Sequence, residues 1–416
     1  MNTGYPRKKI LMLITNLGFG GAERSFAKLS MLLSQYHEVY VAVFNRDSYT
    51  KESYTHGGTF IDLDVTTGNS VIVKAKAFLN RIRKIKAIKK QFGIEITISF
   101  LEGADYVNIL AGGKDKKILS IRGTKKYDYK KTGAKGWLCN KVLIPFLYRK
   151  ADVIVTVNRG ISAELRNDFG INGQVQFQEI FNYYDIEDMR RQATTVLSAD
   201  VAPLWQYPVL ISHGRLSYEK RFQALLEVFA LVKQSHKELR LVLVGDGPDY
   251  EILTNHCKNL GLSFAKEIVQ NTVPDVFFAG FQSNPLAWLS KATVFAFPGT
   301  IEGFPNALAE AMIAGVAVVS TDCPWGPRDI MEGHDYGPIL YPLSEIEETP
   351  CGILAPMLNQ ANATTAWATA IDLLLKDPVK RDQYRNRAVE RMTDFSEDKI
   401  ADLWLQLIHE ISINVN

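Results

Sequence analysis

Short runs of apolar, mostly β-branched residues recur along the chain, each followed by a longer segment whose apolar positions fall three and four apart. In the first half the runs are KILMLIT (9–15), EVYVAVF (38–44), FIDLD (60–64), EITISF (95–100), KILSI (117–121) and DVIVTV (152–157). The second half has PVLISH (208–213), LRLVLVG (239–245), VFFAG (276–280), TVFAFP (293–298) and VAVVS (316–320). Runs that are apolar throughout predict strands covered on both faces, and the amphipathic segments between them predict crossover helices. That alternation, twice over, predicts an α/β protein of two Rossmann-like, doubly wound domains facing a cleft. The rhythm breaks over 182–207, which contains Pro203. The expected division is therefore residues 1–188 for the first domain, 189–206 for a linker, 207–394 for the second domain and 395–416 for a C-terminal helix. Open sheets of this kind bind ligands at the carboxyl ends of their strands, so the loops that follow the strands are where chemistry is expected.

Composition changes this picture little. A chain of 416 residues with 46% hydrophobic and 22% charged positions is an ordinary globular protein, long enough for two cores. The cysteines Cys139, Cys257, Cys323 and Cys351 are scattered, which suggests neither a zinc site nor a disulfide framework and fits a reducing compartment. No apolar stretch approaches the ~20 residues of a membrane span, and the run after the basic N-terminus is too short for a signal sequence. Charge is more informative. Residues 1–190 hold 30 Lys and Arg against 18 Asp and Glu, whereas residues 191–416 hold 18 against 27. The cations concentrate in 73–90 and 114–135. Within the first stretch Phe78, Ile82, Ile85 and Ile88 have helical spacing. An amphipathic helix with a cationic face is expected there, either simply solvated or docked on an anionic membrane surface. A nucleic-acid partner is not expected.

Three loops carry candidate chemistry. After the first strand comes NLGFGGAERS (16–25), where Gly18, Gly20 and Gly21 allow a tight turn and close backbone approach, and a helix expected from about Ala22 points its N–H groups at the same place. This reads as an anion or sugar cradle, or as a plain turn. It is neither G-x-G-x-x-G nor a Walker A sequence, and VGDGP (244–248) lacks a third glycine, so no nicotinamide cofactor is expected. The first strand of the second half ends in SHGRLSYEKR (212–221), in which Arg215 and Lys220 flank a turn into a helix expected near Arg221. A planar fork and a point charge together suit a diphosphate. Finally, TVFAFP leads into GTIEGFP, with Pro305 suited to a first helical turn and Gly315 to a helix stop. Glu302 then precedes the helix and Glu310 lies within it, so the two carboxylates face different parts of one elongated ligand. Carboxylates accept well from vicinal hydroxyls, and the N–H groups around Phe304, Asn306 and Ala307 at a helix start suit a phosphate. Sugar, phosphate and ribose in a row describe a nucleotide sugar.

In this order and at these separations, the Gly20–Gly21 pair, GRLSYEK (214–220), VGDGP (244–248) and EGFPNALAE (302–310) resemble the retaining glycosyltransferases of family GT4. The resemblance spans nearly the whole chain. It implies the GT-B fold, with the donor bound mostly by the second domain, the acceptor by the first, and FSEDKIADLWLQLIHEI (395–411) as a helix returning to the first domain. It also implies roles. Arg215 and Lys220 would bind the donor diphosphate, Glu302 hydroxyls of the transferred sugar, and Glu310 the ribose. Backbone groups of Gly303, Phe304, Asn306, Ala307 and Leu308 would contact sugar and phosphate, Gly20 and Gly21 would close over the donor, and the base would lie near AGFQSNP (279–285), at Phe281. DCPWGPRDI (322–330) resembles the branch that elongates bacterial surface polysaccharides, often on lipid-linked acceptors. Where many relatives carry a histidine after a strand such as KILSI, this chain has Arg122; Arg122 and Glu102 are the candidates for sugar or acceptor contact. Where many relatives have Asn-Pro after the first domain, it has Asn182-Tyr183. IDLD (61–64) contains an Asp-x-Asp, but at a strand end, so neither a metal nor a cofactor is expected. The implied protein is a metal-independent, retaining transferase. It would move a hexose or N-acetylhexosamine from a nucleotide-diphosphate sugar, UDP-linked, to a hydroxyl of a glycan or polyprenyl-linked oligosaccharide, in the cytoplasm and peripherally on the inner face of the cytoplasmic membrane. A sugar-nucleotide epimerase of the same fold and a non-catalytic binding protein of polysaccharide assembly are the alternatives.

Overall fold

The computed structural model describes residues 6–18, 20–44, 54–66, 68–126, 133–173, 175–270, 272–333 and 343–413. Phe19 of the glycine-rich loop, 127–132 of the second basic stretch and 414–416 lie outside the described residues. The chain divides into two compact units, Met1–Asn182 with Asp398–Asn416, and Tyr183–Glu397. The stretch 189–206 groups with the second unit, and holds most of the helix Ile186–Ala193 and the 3-10 segment Ala199–Gln206.

The first unit is built on β1 (Lys9–Ile14), β2 (Glu38–Val43), β3 (Thr59–Asp62), β4 (Ile96–Phe100), β5 (Lys116–Ile121), β6 (Val153–Thr156) and β7 (Gln176–Glu179). They pair in the order β3-β2-β1-β4-β5-β6-β7, all parallel. Five of these seven strands carry inner residues that are wholly or almost wholly buried, which is why they read as apolar runs. β7, QFQE, was not foreseen, because an edge strand with polar positions lacks that signature. The second unit is built on β8 (Val209–His213), β9 (Arg240–Val244), β10 (Phe264–Ala265), β11 (Val276–Gly280), β12 (Val294–Phe297), β13 (Ala317–Thr321), β14 (Glu347–Thr349) and β15 (Gly352–Ala355). The order is β10-β11-β9-β8-β12-β13-β15-β14, parallel except for β14 against β15. The short strands β10, β14 and β15 were likewise not foreseen. In each sheet the strand order reverses direction beside the first strand, between β1 and β4 and between β8 and β12. Those two switch points are where an open α/β sheet leaves a crevice at its carboxyl end.

The basic helix runs Val71–Phe92 and buries Ala77, Ile85 and Ile88. Its cations do not all face solvent. Lys89 is buried, with Nζ 2.9 Å from Asp115 Oδ2 and donating to Asn108 Oδ1 at 2.9 Å. Arg81 donates to Val65 O and lies over the Phe44 ring, and Lys84 donates to Leu63 O. The expected cationic face is therefore narrower than the eight basic residues of 73–90: Lys74, Lys76, Arg83, Lys86 and Lys90 are exposed, whereas Lys89, Arg81 and Lys84 are engaged in the fold.

Beneath the β4 end lies a second buried polar group. Asp105 accepts from Ser99 Oγ at 2.8 Å and from the Tyr148 hydroxyl at 2.9 Å. Burial pushes its carboxyl up to about 7, against the opposing pull of Lys125 and these two hydrogen bonds. Because the folded state holds this proton to a higher pH than the unfolded chain, Asp105 favours folding most at acid pH, and that contribution is lost as pH rises towards 7. Asp105→Asn keeps one acceptor oxygen for Ser99, puts an amide N–H that the Tyr148 hydroxyl can accept in place of the other, and removes the titration. Urea unfolding of wild type and variant between pH 4 and 7.5, a range that runs from the ordinary carboxyl pKa of about 3.9 to the raised one of about 7, should show the difference in stability moving in favour of the variant as pH rises. The change should be a few kcal/mol at most, at ~1.36 kcal/mol per pKa unit. A constant difference across that range would contradict the assignment.

Candidate active site

The loops after β8 and β12 meet at the switch point of the second unit. β8 ends at His213, and Gly214, Arg215 and Leu216 lead into the 3-10 turn Tyr218–Lys220 and the helix Phe222–Ser235. This loop is braced from the side by the VGDGP segment. Leu216 N donates to Asp246 O at 3.0 Å, and a Cβ on Gly245 or Gly247 would lie 2.0 Å from Gly214 O or 2.3 Å from Leu216 O. Those two glycines are thus required by close backbone packing rather than by a nucleotide fingerprint.

β12 ends at Phe297, and the loop 298–305 crosses back to the first. Thr300 N donates to Glu219 O at 3.2 Å. The Lys220 ammonium pairs directly with Glu302 Oε1 and lies 5.6 Å from the centroid of the Phe297 ring. Burial works against the Lys220 ammonium, but the charge and hydrogen bond of Glu302 outweigh it and hold its pKa above the ordinary lysine value. Pro305 caps the helix Asn306–Ala314, and Gly315 ends it in the left-handed region at φ 71°. Glu310, on the inward face of that helix, is buried, with Oε2 3.1 Å from His213 Nε2. The two carboxylates of EGFPNALAE accordingly have different partners, one an ammonium and the other an imidazole. Arg215 is exposed at the head of its loop, and Phe281 is exposed just after β11.

Not every candidate side chain points outward. Phe304 is buried, with its ring 5.5 Å from Phe395, and Leu308 is wholly buried. Only the backbone of these two residues is available to a ligand, as expected for them. Asn306 accepts from the buried Tyr184 hydroxyl at 2.6 Å, which fixes the start of the helix. Two further elements escaped the sequence reading. One is His213, hidden at the end of an otherwise apolar run. The other is the arginine of DCPWGPRDI. Arg328 forks onto Asp322 (Nε to Oδ1 at 3.2 Å, Nη2 to Oδ2 at 2.8 Å) and also binds Glu332 and Glu347. Four charges are thereby gathered at the root of the loop that carries Gly326. Glu332 is pushed up to about 7, by burial first and then by Glu347.

In the first unit the candidates gather at the carboxyl ends of β1, β4 and β5. Gly20 and Gly21 open the helix Gly21–Tyr36. Leu101 takes a strained φ of 71° directly before Glu102, the first residue of the helix Glu102–Leu110. Glu102 accepts from the Tyr106 hydroxyl at 2.7 Å and stands 3.9 Å from Lys125 Nζ. Arg122 stacks on the Phe100 ring at 4.6 Å and donates to Asn182 Oδ1 at 3.1 Å, which also receives Ser25 Oγ. The position where relatives are expected to have a histidine is thus filled by an arginine held by aromatic and amide neighbours.

Comparison with known proteins identifies the fold and the class of activity. Residues 207–377 match the family described as glycosyl transferases group 1. Over 399 residues the chain is 28% identical to the N-acetylgalactosamine-N,N'-diacetylbacillosaminyl-diphospho-undecaprenol 4-alpha-N-acetylgalactosaminyltransferase of Campylobacter jejuni, covering 95% of this chain and 97% of the relative. A second Campylobacter jejuni enzyme, a GalNAc-alpha-(1->4)-GalNAc-alpha-(1->3)-diNAcBac-PP-undecaprenol alpha-1,4-N-acetyl-D-galactosaminyltransferase, is 23% identical over 97% of this chain and 99% of its own. Among solved structures, Anabaena HepE in complex with UDP superposes with a TM-score of 0.72 at 17% identity, over 96% of this chain and 99% of that one. The lipopolysaccharide outer core galactosyltransferase WaaB does so at 0.66 and 18%, with the same coverage. The fold is GT-B. The chain is a GT4-like glycosyltransferase, and its second unit carries the group 1 domain.

The glycine of the DCPWGPRDI loop provides a test of how tightly the EGFP loop is held. Gly326 has φ 101°, and a Cβ there would lie 2.8 Å from Pro305 Cδ and 2.9 Å from Gly303 O. Gly326→Ala should displace the backbone next to Glu302. Strain of ~1–3 kcal/mol is the usual cost of such a conformation. Sugar transfer should fall by about tenfold or more, ~1.4 kcal/mol in the barrier, with the variant still folding cooperatively in a thermal melt. Unaltered turnover would show that this contact does not set the loop.

Proposed function

We propose that the chain transfers a hexose or N-acetylhexosamine, with retention and without a metal, from a UDP-linked donor to a hydroxyl of a lipid-linked oligosaccharide or lipopolysaccharide in bacterial surface glycan synthesis. The observation that carries this reading is the pairing of Lys220 with Glu302 at the switch point, with Glu310 in the helix that follows Glu302. A hydroxyl acceptor (Glu302), a cation (Lys220) and a second hydroxyl acceptor (Glu310) are the partners that the sugar, the diphosphate and the ribose of a nucleoside-diphosphate sugar need. Support for the nucleotide comes from HepE, which was solved with UDP, and for the acceptor from the Campylobacter jejuni relatives, whose names specify undecaprenol-linked glycans.

The reaction breaks the bond between the anomeric carbon and the phosphate oxygen and forms one to the acceptor oxygen on the same face. The acceptor proton passes to the departing phosphate. Negative charge grows on that phosphate, and Lys220 and Arg215 are the cations that meet it. Glu302 holds hydroxyls of the transferred sugar and, before the donor arrives, keeps the Lys220 ammonium in place. Phe281 offers a face to the base. Arg122 and Glu102 of the first unit contact sugar or acceptor. Fixed charge partners of this kind commonly contribute ~3–4 kcal/mol each to a transition state. Arg215→Ala or Lys220→Ala should therefore cut turnover at least ~100-fold, while near-normal rates in both would remove the donor site from these loops. A thermal-shift screen of nucleotide sugars would identify the donor, and a ligand at 100 times its Kd should stabilise the fold by ~2.7 kcal/mol. Consumption of donor only when acceptor lipid is present separates transfer from epimerisation, and consumption of none in either case would leave a binding protein.

The membrane is a further part of the proposal. No helix among the described residues is long and apolar enough to cross one. On the exposed face of the helix Val71–Phe92, however, Ile72, Lys76, Leu79, Arg83, Lys86 and Lys90 follow one another at spacings of three and four. Elsewhere in the same unit Trp137 and Phe146 are 62% and 60% exposed, and Lys150 Nζ lies 4.1 Å over the Phe146 ring. Exposed aromatic and aliphatic side chains flanked by cations suit peripheral docking on the inner, anionic leaflet, where each cation contributes ~1 kcal/mol. Reversing Lys76, Arg83 and Lys86 to Glu should release the protein from anionic liposomes in sedimentation assays and leave the donor-induced thermal shift intact. Wild-type binding should weaken as salt rises. Equal binding to neutral and anionic liposomes, or none to either, would reject the electrostatic part of this reading.

A further inference from the structure

His213 ends β8 directly across from Glu310. Its Nε2 lies 3.1 Å from Glu310 Oε2 and its Nδ1 lies 3.2 Å from Val244 O. Val244 O also accepts from Gly214 N at 3.0 Å, so the carbonyl is fixed by the loop it helps to hold. The Glu310 side chain is 4% exposed and that of His213 21%. Both neighbours of the ring only accept hydrogen bonds, since one is a carboxylate and the other a carbonyl. A singly protonated imidazole can donate to one of them, whereas the doubly protonated ring donates to both.

The geometry gives Glu310 something its helix cannot. A helix fixes the Cα and restricts the first torsion, but the last torsion of a glutamate is broad, so the plane of its carboxylate is not set by the backbone. Binding a vicinal diol depends on that plane, because two hydroxyls must meet the carboxylate at once. A bond from Nε2 to Oε2 fixes it, and one such bond does not use up the lone pairs of a carboxylate.

We propose that His213 is a positioning residue that orients Glu310 for the 2′- and 3′-hydroxyls of the donor ribose, and so sets the preference for ribonucleotides over deoxyribonucleotides. This rests on the reading of Glu310 as the ribose partner. Asn and Gln divide the two functions of the ring. The Asn amide can replace Nδ1 at Val244 but does not reach Glu310. The Gln amide extends to the Nε2 position and can donate to Glu310.

The experiment is calorimetric titration of the full chain with UDP and 2′-deoxy-UDP, and with GDP and 2′-deoxy-GDP, using the base that binds more tightly. Wild type should prefer the ribose form by ~10–100-fold, the range expected for a hydrogen bond to a charged group. His213→Gln should keep most of that ratio. His213→Asn should bring it below about threefold, chiefly by weakening the ribose form, and Glu310→Gln should lower it as well. Several results would overturn the proposal. If His213→Asn weakens both nucleotides equally and keeps the ratio, the histidine is structural only. If His213→Gln loses the ratio as fully as Asn, donation to Glu310 is not what matters. If Glu310→Gln lowers the ratio and His213→Asn does not, the ribose reading of Glu310 stands and the role of His213 falls. If neither variant changes the ratio, both fall together.

Discussion

An ammonium and a carboxylate 82 positions apart in sequence meet at the switch point of the second sheet, and the site depends on that meeting. Lys220 comes from the loop after β8 and Glu302 from the loop after β12, neighbouring strands from which the chain departs in opposite directions. The pair is not what holds the unit together. A partly exposed ion pair contributes ~0–1 kcal/mol, whereas each fully buried aliphatic side chain contributes ~1.5–3 kcal/mol. β8, β9, β12 and β13 bury a long series of them. The sheet would form without the pair. In the proposed function its value is positional: it would keep a cation and a hydroxyl acceptor adjacent and oriented before any ligand arrives, so that little reorganisation is left for the moment of reaction.

The surrounding structure makes sense as support for this placement. Gly245 and Gly247 let the neighbouring loop lie directly against Gly214 and Leu216. Arg328 binds Asp322, Glu332 and Glu347 and so anchors the loop that presses Gly326 onto the EGFP turn. Removing Arg328 would leave the buried Asp322 carboxylate uncompensated, which commonly costs ~3–5 kcal/mol. The expense of gathering four charges beside one loop is understandable if the loop must not drift. The first unit repeats the logic with different chemistry, holding Arg122 between an aromatic ring and Asn182 and setting Glu102 on a strained turn.

Much of this was legible in the sequence, and the reason is physical. Parallel strands covered on both faces must be apolar throughout, so β1, β8, β9 and β12 announce themselves, and the helix from Asn306 is bounded by Pro305 and Gly315, whose backbone preferences are local. Lys220, Arg215, Glu302 and Glu310 could be proposed because each sits at a fixed distance from such a boundary. What could not be read depends on partners far along the chain. Lys89 looks like one more solvated cation among many, and only Asp115 and Asn108, brought in by the neighbouring helix and loop, explain its burial. His213 looks like the polar end of a strand until the helix carrying Glu310 is laid across it. β7 was missed for the same reason in reverse, since nothing local marks a polar edge strand, and its pairing with β6 is what makes it one.

The central claim is that the carboxyl ends of β8 and β12 hold the diphosphate and ribose of the donor. The most direct measurement is a crystal structure of the full chain with UDP. The account predicts diphosphate oxygens within ~3 Å of Lys220 Nζ and the Arg215 guanidinium, and ribose hydroxyls on the Glu310 carboxylate. A nucleotide bound with its phosphates away from Lys220 and its ribose away from Glu310 would contradict it.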